Sequence, residues 1–309
     1  MVMSIQSKYE QYGGANGFLG APTTHENVTP DGIGRFRHFQ GGSIYWNPNT
    51  GAQLIHGAIR DKWAELGFER SWLGFPISDE ENFTEGGRVS VFQNGEIYWW
   101  PDVGAIELRE VVVHYTGMYC FGETDWDQGS NEDEPYAIVG IVVPPPIKQP
   151  EPFRSRIYED INDHTSMRDI KEIYRGKPCG MNISFLVMEH DLANPDKYKG
   201  SMTAACYNVA IGLTAAIGVI PKAGPFLATV AGPALIAAVP DMANELNNIF
   251  DFGDDRIGHK IIHVSAKQMV VLAARTRTSE FEGIPYKLES PLLSGEGASY
   301  KVYIGLAPV

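Results

Sequence analysis

The sequence contains few cysteines and few basic residues. Its 309 residues include three cysteines, at positions 120, 179 and 206. Three cysteines so far apart form neither a disulfide framework nor a zinc motif. Lys and Arg together number 25 against 38 Asp and Glu, which gives a formal net charge of −13. Because a phosphate backbone repels such a chain, we predict no nucleic-acid partner, and cations are the better-matched partners.

The sequence also lacks the patterns that mark common enzymes and targeting segments. It has no His-Glu-x-x-His, no Gly-x-Ser-x-Gly, no Cys-x-x-Cys and no phosphate-binding glycine-rich loop with lysine. The first twelve residues have no apolar segment behind a basic start, so no signal peptide is visible. We therefore predict that the protein is not an enzyme. A hydrolase stays open as an alternative, because two catalytic carboxylates need only converge in space.

Length and composition indicate a folded chain of about two domains. Hydrophobic residues make up 43% of the chain, charged residues 20% and aromatic residues 11%, which is in the globular range. From Val111 the periodicity of the sequence changes, and apolar runs typical of strands begin. We therefore predict one domain over residues 1–108 and a second over residues 109–309.

The first 108 residues contain an internal repeat. Leu19-Gly20-Ala21-Pro22 recurs 54 residues later as Leu73-Gly74-Phe75-Pro76. The sequence FQGGSIYW at 39–46 recurs 53 residues later as FQNGEIYW at 92–99. In each copy an aromatic strand, a glycine-containing turn and a second strand are typical of a β-hairpin. This pattern predicts two copies, over residues 19–52 and 73–105.

Between the copies the apolar spacing predicts a helix over residues 56–66. Ile59, Trp63 and Leu66 recur at helical spacing, and Gly67 follows as a stop signal. Each copy is therefore expected to consist of short strands joined by a turn, with this helix linking the copies.

The repeated motifs resemble the LGFP repeat, a module of roughly fifty residues found in bacterial cell-surface proteins. The Leu-Gly-Phe-Pro element is complete in the second copy, whereas Ala21 replaces its phenylalanine in the first. The resemblance implies binding to the polysaccharide of the cell envelope. The candidate sugar-binding side chains are the adjacent aromatic residues Tyr45, Trp46, Tyr98, Trp99 and Trp100.

Side chains alternate along a strand, so one ring of each Tyr-Trp pair is expected to face outward. An outward Trp46 or Trp99 could stack on a sugar. Trp100, before Pro101, is expected to be the more exposed ring. The alternative interpretation is that these rings form the core of the repeat.

Beyond Val111, apolar strands alternate with acidic loops. Strands are expected at 111–115, 136–143, 181–188 and 257–264. Six carboxylates and no basic residue lie between Glu123 and Glu134, and further acid occurs at 189–191 and 251–255. Oxygen ligands from three loops at one end of a β-sandwich suit Ca²⁺, which takes six to eight of them.

Three of these segments resemble the calcium-dependent phospholipid-binding sandwich of protein kinase C and synaptotagmin. Glu134-Pro135-Tyr136 resembles the Asp-Pro-Tyr that closes its first calcium loop. Glu189-His190-Asp191 resembles its Asp-x-Asp, and Asp255-Arg256-Ile257-Gly258 its Asp-x-Ile-Gly. The candidate Ca²⁺ ligands are Asp125, Asp127, Asp133, Glu134, Glu189, Asp191, Asp254 and Asp255. The alternative is that these carboxylates are solvated loop charges.

Residues 203–249 form an apolar insertion between two of the predicted strands. Lys222 is the only charged residue between Thr203 and Asp241. Because Pro221 to Pro225 is a turn signal, we predict a helical hairpin with two arms of about 18 residues, each ~27 Å long. Pro233 is expected to kink the second arm.

This hairpin has two interpretations. Its arms approach the ~30 Å thickness of the hydrocarbon core of a bilayer, so it could enter a membrane. We favour packing on the sandwich or on a second subunit, because Ala and Gly contribute little transfer free energy.

These observations predict an α+β protein with a small repeat domain of β-hairpins and short helices, followed by an antiparallel β-sandwich with an inserted helical hairpin. The predicted function is adhesion or targeting at the cell surface or after secretion, with envelope glycan and Ca²⁺ as ligands. An oligomer is compatible with the sequence. One alternative is a membrane-active effector or toxin whose hairpin inserts after calcium-dependent docking. A second alternative is a cell-wall hydrolase.

Overall fold

The structure is a computed structural model. It describes residues 3–123, 134–190, 194–218, 225–249, 256–295 and 297–309. The chain divides into two compact units, Met1–Glu110 and Val111–Val309. The predicted fold class is confirmed, since short strands and helices form the first unit and an antiparallel sandwich with inserted helices forms the second.

The first unit contains two four-stranded antiparallel sheets, one from each repeat copy, and two α-helices. The first sheet consists of β1 (Asn27–Val28), β2 (Arg35–Phe39), β3 (Gly42–Asn47) and β4 (Gly51–Ile55). The second consists of β5 (Glu81–Phe83), β6 (Gly87–Val91), β7 (Glu96–Trp100) and β8 (Gly104–Leu108). The helices are α1 (Ile5–Gln11) and α2 (Gly57–Leu66). In both sheets the strands lie in chain order, so each copy is a meander.

The repeated Leu-Gly-x-Pro segment forms a turn whose leucine is buried in each copy. In the second copy Leu73 is fully buried, and Gly74 has a φ of +71°, which favours glycine. The side-chain carbonyl of Gln93 accepts a hydrogen bond from the Phe75 amide at 2.9 Å. The same arrangement occurs in the first copy at Leu19, Gly20, Ala21 and Gln40. The motif therefore serves the folding of the repeat.

Trp63 of α2 joins the cores of the two copies. Its side chain is fully buried. Its ring centroid lies 4.7 Å from that of Tyr45 in the first copy and 5.4 Å from that of Phe92 in the second. The helix ends at Gly67, which has a φ of +104°. One hydrophobic core thus spans both copies.

The second unit is a sandwich of two antiparallel sheets. One sheet has the strand order β11-β10-β13-β14, and the other has the order β12-β9-β19-β17, with β18 also paired to β19. A separate hairpin is formed by β15 and β16. The strand bounds are β9 (Val111–Gly122), β10 (Pro135–Val142), β11 (Phe153–Arg154), β12 (Ser166–Gly176), β13 (Met181–Glu189), β14 (Arg256–Val264), β15 (Ser279–Phe281), β16 (Ile284–Tyr286), β17 (Leu288–Glu289), β18 (Leu293–Gly295) and β19 (Ala298–Pro308).

The insertion between β13 and β14 contains three helices, and a fourth helix follows β14. They are α3 (Pro195–Ile217), α4 (Pro225–Ala237), α5 (Val239–Ile249) and α6 (Ala266–Ala274). The α3, α4 and α5 helices pack on one face of the sheet that contains β10 and β13. Apolar side chains of that face, such as Ile138 and Leu186, share a core with Met202, Cys206 and Leu213.

The insertion differs from the predicted hairpin in where its second arm breaks. The α4 helix continues through Pro233, and α5 begins at Val239 after a break at Ala238. The two parts meet at an angle of 47°. Pro240 lacks an amide hydrogen and its ring crowds the carbonyl four residues earlier, which accounts for a break at this point.

A buried amide attaches α4 to the sheet. Asn182 of β13 is fully buried, and its Nδ2 donates to the carbonyl of Leu235 at 2.7 Å. That carbonyl lies in the last turn of α4, where helix carbonyls lack partners within the helix. His263 of β14 lies 2.9 Å from the Asn182 Oδ1 and orients the amide.

By length and composition α3 could also cross a membrane, as could α4 and α5 together as one bent span. In the described chain, one third of the apolar window of α3 is buried within the protein. The buried third is the side that contacts the sheet.

Candidate functional site

The predicted sugar-binding rings fall into two groups. Tyr45, Tyr98 and Trp100 are 4%, 2% and 0% exposed. Trp46 and Trp99 are half-buried and pack against the cores of their copies. A ring enclosed by protein cannot stack on a ligand, so only the two half-buried tryptophans of this set offer ring surface to solvent.

Trp100 does not have the exposed position expected from the sequence. It shares a face of β7 with Tyr98, and its indole Nε1 donates to the carbonyl of Thr84 at 3.0 Å. An ideal Cβ built on Gly87 would lie 2.4 Å from the same Nε1. The loop before β6 therefore closes over this ring, and a glycine lets it approach.

Two other aromatic side chains are exposed at equivalent positions of the repeat. Phe18 is 52% exposed and Trp72 is 40% exposed. They lie 54 residues apart, and each directly precedes the Leu-Gly of its copy. Neither residue is among the sugar-binding candidates predicted from the sequence. The signal was an aromatic residue at the same place in both copies, next to a leucine that the motif buries.

Each of these rings lies beside a basic side chain, again at equivalent positions. The ring of His56 meets Phe18 edge-on, with centroids 5.3 Å apart. The guanidinium carbon of Arg109 lies 5.4 Å from the centroid of Trp72, a cation–π arrangement. His56 and Arg109 are 53 residues apart in the sequence. We call Phe18/His56 and Trp72/Arg109 the aromatic–basic pairs.

The turn of the second hairpin holds the Trp72/Arg109 pair in place. The Nε of Arg109 donates to the carbonyl of Asn94 at 3.2 Å. The Nδ2 of Asn94 donates in turn to the carbonyl of Trp72 at 3.1 Å. An ideal Cβ on Gly95 would lie 2.7 Å from the Trp72 ring, so glycine at this position makes room for the indole. Asn94 is exposed beside the ring.

The first pair is connected to the second copy through the Glu80 side chain. The Nε2 of His56 lies 3.4 Å from a carboxylate oxygen of Glu80. The other oxygen of Glu80 accepts from Arg88 at 2.7 Å. The two pairs thus have the same placement but different polar surroundings.

A serine and a histidine lie together in the first copy. The Nδ1 of His38 is 2.7 Å from the Oγ of Ser43, and the Nε of Arg60 donates to the same oxygen at 2.8 Å. Burial, followed by the charge of Arg60, lowers the pKa of His38. Because Ser43 is fully buried, its hydroxyl is closed to a substrate.

The cysteine side chains are buried as well. Burial raises the pKa of the Cys179 thiol to about 11 and that of Cys206 to about 12. Both side chains are therefore neutral thiols at physiological pH.

Most of the predicted Ca²⁺ ligands lie outside the described residues. These are Asp125, Asp127, Asp133, Asp191, Asp254 and Asp255. The two that are described, Glu134 and Glu189, are adjacent. A side-chain oxygen of Glu189 accepts a hydrogen bond from the Glu134 amide, and Glu189 is paired with Pro135 across the sheet.

The strand ends next to the acidic loops converge at one end of the sandwich. Met188, at the end of β13, pairs with Arg256, at the start of β14. At the end of β9, the Glu123 amide donates to a carboxylate oxygen of Asp163 at 2.6 Å. Asp163 is an additional acid at this end, outside the three segments that resemble the calcium-binding sandwich.

Carboxylate oxygens are the donors that Ca²⁺ prefers, so the chemistry of this end fits a hard cation. Within the part of the chain that the structure describes, no group of three His, Cys, Asp or Glu is placed to hold a metal ion. Calcium binding therefore stays a prediction for the loops between the described strand ends.

These features define the first unit as a tandem repeat module that carries one aromatic–basic pair in each copy. Residues 19–71 and 73–114 match the family of the LGFP repeat, which confirms the resemblance. The chain is also similar to a solved structure of a C2 domain of Extended Synaptotagmin 1 from a plant. The identity is 10%, the alignment covers 65% of this chain and 97% of that one, and the TM-score is 0.32. No curated protein matches the chain.

Proposed function

We propose that this is a non-enzymatic cell-surface protein whose first unit binds polysaccharide of the cell envelope, in adhesion or targeting. The observation that carries the proposal is the recurrence of the aromatic–basic pair, Phe18/His56 and Trp72/Arg109, at equivalent positions of two repeats. LGFP repeats are typical of cell-surface proteins, which supports the location.

The chemistry of the pairs suits a sugar. An exposed ring offers an apolar face on which the C–H groups of a sugar can stack, and it costs little conformational entropy to hold. A few polar groups placed around an apolar surface then orient a ligand. Around Trp72 these groups are the guanidinium of Arg109 and the amide of Asn94. Two such pairs on one chain fit a polymer that presents the same sugar repeatedly.

Truncation of Trp72 is expected to weaken this binding. We expect Trp72→Ala to lower the affinity for purified cell-wall polysaccharide about tenfold, which corresponds to about 1.4 kcal/mol of lost stacking and burial. Phe18→Ala should act in the same direction. The double variant should lose more than either single variant, because binding at one site raises the effective concentration at the other. Retention on insoluble wall polysaccharide measures the effect.

Ile77→Ala is the matched control, since Ile77 is a 44% exposed apolar side chain of the same unit that belongs to neither pair. It should leave retention unchanged. If Trp72→Ala and Phe18→Ala bind as well as the original chain, the pairs are not the binding site. Absence of retention of the original chain on any envelope polysaccharide contradicts the function itself.

We further propose that the acidic loops of the second unit bind Ca²⁺. Support comes from the convergence of the adjoining strand ends and from the proximity of Glu134 and Glu189. A ligand that binds the native state stabilises it, by about 2.7 kcal/mol at a concentration one hundred times its Kd. We therefore expect millimolar Ca²⁺ to raise the Tm of the second unit, and a chelator to reverse the rise.

Glu189→Gln tests whether the Ca²⁺ site includes Glu189, because the substitution keeps the size of the side chain and removes its charge. The variant should show a smaller rise in Tm with Ca²⁺ than the original chain, and Mg²⁺ serves as the control cation. An identical Tm with Ca²⁺ and with chelator would remove calcium from the proposed function and leave the polysaccharide proposal untouched.

A further inference from the structure

The two copies of the repeat also share a helix. Residues of α1 recur 54 residues later in α2, namely Ile5 as Ile59, Lys8 as Lys62 and Tyr9 as Trp63. The packing of the helix recurs as well. The ring of Tyr9 stacks on that of Phe39 with centroids 4.6 Å apart. In the second copy Trp63 has the same place, 5.4 Å from Phe92. Each copy is therefore a helix followed by a four-stranded sheet, so the contacts of equivalent residues can be compared.

Two side chains of the second copy contact the first copy directly. The ring of Phe75 lies against Gly34, where an ideal Cβ would be 2.5 Å from the ring. The carboxylate of Asp79 accepts hydrogen bonds from the Lys8 Nζ and from the Leu54 amide, each at 2.7 Å. We call Gly34, Lys8 and Leu54 the docking surface of the first copy. An aromatic ring and a carboxylate of the second copy thus occupy it.

The equivalent surface of the second copy is occupied by side chains of that same copy. The counterparts of the docking surface are Gly87, Lys62 and Glu107. An ideal Cβ on Gly87 would lie 2.4 Å from the Nε1 of Trp100. The Nζ of Lys62 lies 3.0 Å from a carboxylate oxygen of Glu107. The contacts are again an aromatic ring on the glycine and a carboxylate on the lysine, but here both groups come from within the copy.

The first copy lacks both side chains that make these contacts between copies. Ala21 stands at the position of Phe75, and His25 stands at the position of Asp79. Both are exposed. Alanine has no ring to place against a glycine. A neutral imidazole accepts one hydrogen bond, whereas the Asp79 carboxylate accepts from an ammonium group, a hydroxyl and an amide. The replacement of phenylalanine in the first Leu-Gly-x-Pro motif therefore coincides with the loss of the second docking group.

We infer that Phe75 and Asp79 are the side chains by which one LGFP copy docks on the copy before it, and that Trp100 and Glu107 close the second copy against a further copy. The occupant that this surface excludes is an LGFP copy with phenylalanine in its motif and aspartate four residues later. The first unit is a closed pair of copies.

Closure has a physical reason in the geometry of repeats. Copies that stack head to tail leave an unsatisfied interface on the last copy, and repeat proteins need terminal copies whose outer face is modified. A head-to-tail contact between separate chains generates an open filament rather than a closed assembly. Trp100 and Glu107 satisfy the last interface internally. Ala21 and His25 remove the complementary groups from the first copy, so a second chain has nothing to dock with.

The test adds a third copy to the full chain. Residues 58–110 are inserted a second time after position 110, which keeps the register of the repeat and the junction with Val111. Glu110→Gly in the middle copy supplies the glycine found at the equivalent position 57, where φ is +52°. Urea unfolding followed by tryptophan fluorescence shows which copies unfold together, because the slope of a transition increases with the surface that it exposes.

With Trp100 and Glu107 intact in the middle copy, we expect two transitions, because the added copy unfolds separately from the closed pair. Trp100→Asn and Glu107→Leu in the middle copy install the residues of the first copy at these positions. This opened chain should unfold in one transition with a slope about 1.5-fold that of the original chain. The same two substitutions in the original chain are the control. They should lower its urea midpoint, because a ring and an ion pair are lost and no copy replaces them.

Two results would overturn the inference. A single transition of the three-copy chain with Trp100 and Glu107 intact would show that these side chains do not close the surface. This measurement makes no substitution at the surface, so it decides the closure whether or not the opened copy folds. Two transitions of the opened chain, with its first two copies still unfolding together, would show that Phe75 and Asp79 do not carry the docking. Polysaccharide binding is measured by retention, and neither result bears on it.

Discussion

The substitution Asp79→Ala is expected to lower the free energy of unfolding of the first unit by about 3–5 kcal/mol. Asp79 follows the second Leu-Gly-x-Pro motif, and its carboxylate has three partners from other segments. Its Oδ2 accepts from the Nζ of Lys8 at 2.7 Å and from the Tyr12 hydroxyl at 2.9 Å. Its Oδ1 accepts from the amide of Leu54 at 2.7 Å. This one side chain therefore connects α1 and β4 to the second copy.

The cost arises from what the substitution leaves behind. The Lys8 side chain is 9% exposed, so its ammonium group would stay buried without a counter-ion. Burial, followed by the hydrogen bond and charge of Asp79, raises the pKa of Tyr12 to about 12. Without Asp79 the half-buried Tyr12 hydroxyl loses its acceptor, and a donor left without a partner away from water costs more than the bond contributes net.

Glu26→Ala is the matched control for a charge removed from an ion pair. Glu26 pairs with Arg35 at 3.1 Å, and the two side chains are 40% and 58% exposed. An exposed pair of this kind contributes less than about 1 kcal/mol. Urea unfolding followed by tryptophan fluorescence measures both variants, since five of the six tryptophans lie in the first unit. Equal losses for Asp79→Ala and Glu26→Ala would show that the buried contacts of Asp79 do not stabilise the unit.

Gly140→Val is expected to destabilise the second unit by about 2–3 kcal/mol through overpacking. Gly140 lies in the middle of β10, under α3. An ideal Cβ on Gly140 would lie 2.7 Å from the Sδ of Met202, 2.7 Å from the Oγ of Ser184 and 2.9 Å from the Sγ of Cys206. Valine is favoured over glycine in a strand, so a loss of stability must come from displacement of α3 at Met202 and Cys206 and of the Ser184 side chain on β13.

Gly212→Ala is the control for glycine removal in the same unit. Its Cβ would meet no atom within 4 Å, so it should stabilise the unit by up to about 1 kcal/mol through helix propensity. Thermal unfolding followed by far-ultraviolet circular dichroism reports this unit, which contains α3 to α6. An unchanged Tm for Gly140→Val would mean that α3 does not pack on the sheet in water, in favour of the membrane interpretation of the insertion.

The local structure of the repeat could be predicted because its signals are local. The turn at Gly20 and Gly74 requires a positive φ, and the alternation after Gln40 and Gln93 fits a strand whatever surrounds it. The same holds for the four predicted strands of the second unit and for the apolar helices of the insertion. The prediction that the second arm breaks at Pro233 was wrong. Both Pro233 and Pro240 can interrupt a helix, and the sequence alone does not show which of them does.

The candidate site was less predictable, because exposure is a property of the assembled unit. Alternation along β7 places Tyr98 and Trp100 on one face and Trp99 on the other, but it does not say which face is covered. The loop that covers Trp100 contains Thr84, which lies sixteen residues earlier in the sequence. Phe18 and Trp72 became candidates only once their exposure and their basic neighbours were known.

The sequence by itself determined the repeat, the strands, the apolar insertion and the scarcity of basic charge. These properties follow from spacing, backbone preference and composition, which each segment carries alone. The tertiary structure decided which aromatic rings face solvent, where Asp79 finds its partners and which side of α3 lies against the sheet. Those outcomes depend on contacts between residues far apart in the chain, and the free energy of burial is fixed only when these segments pack together.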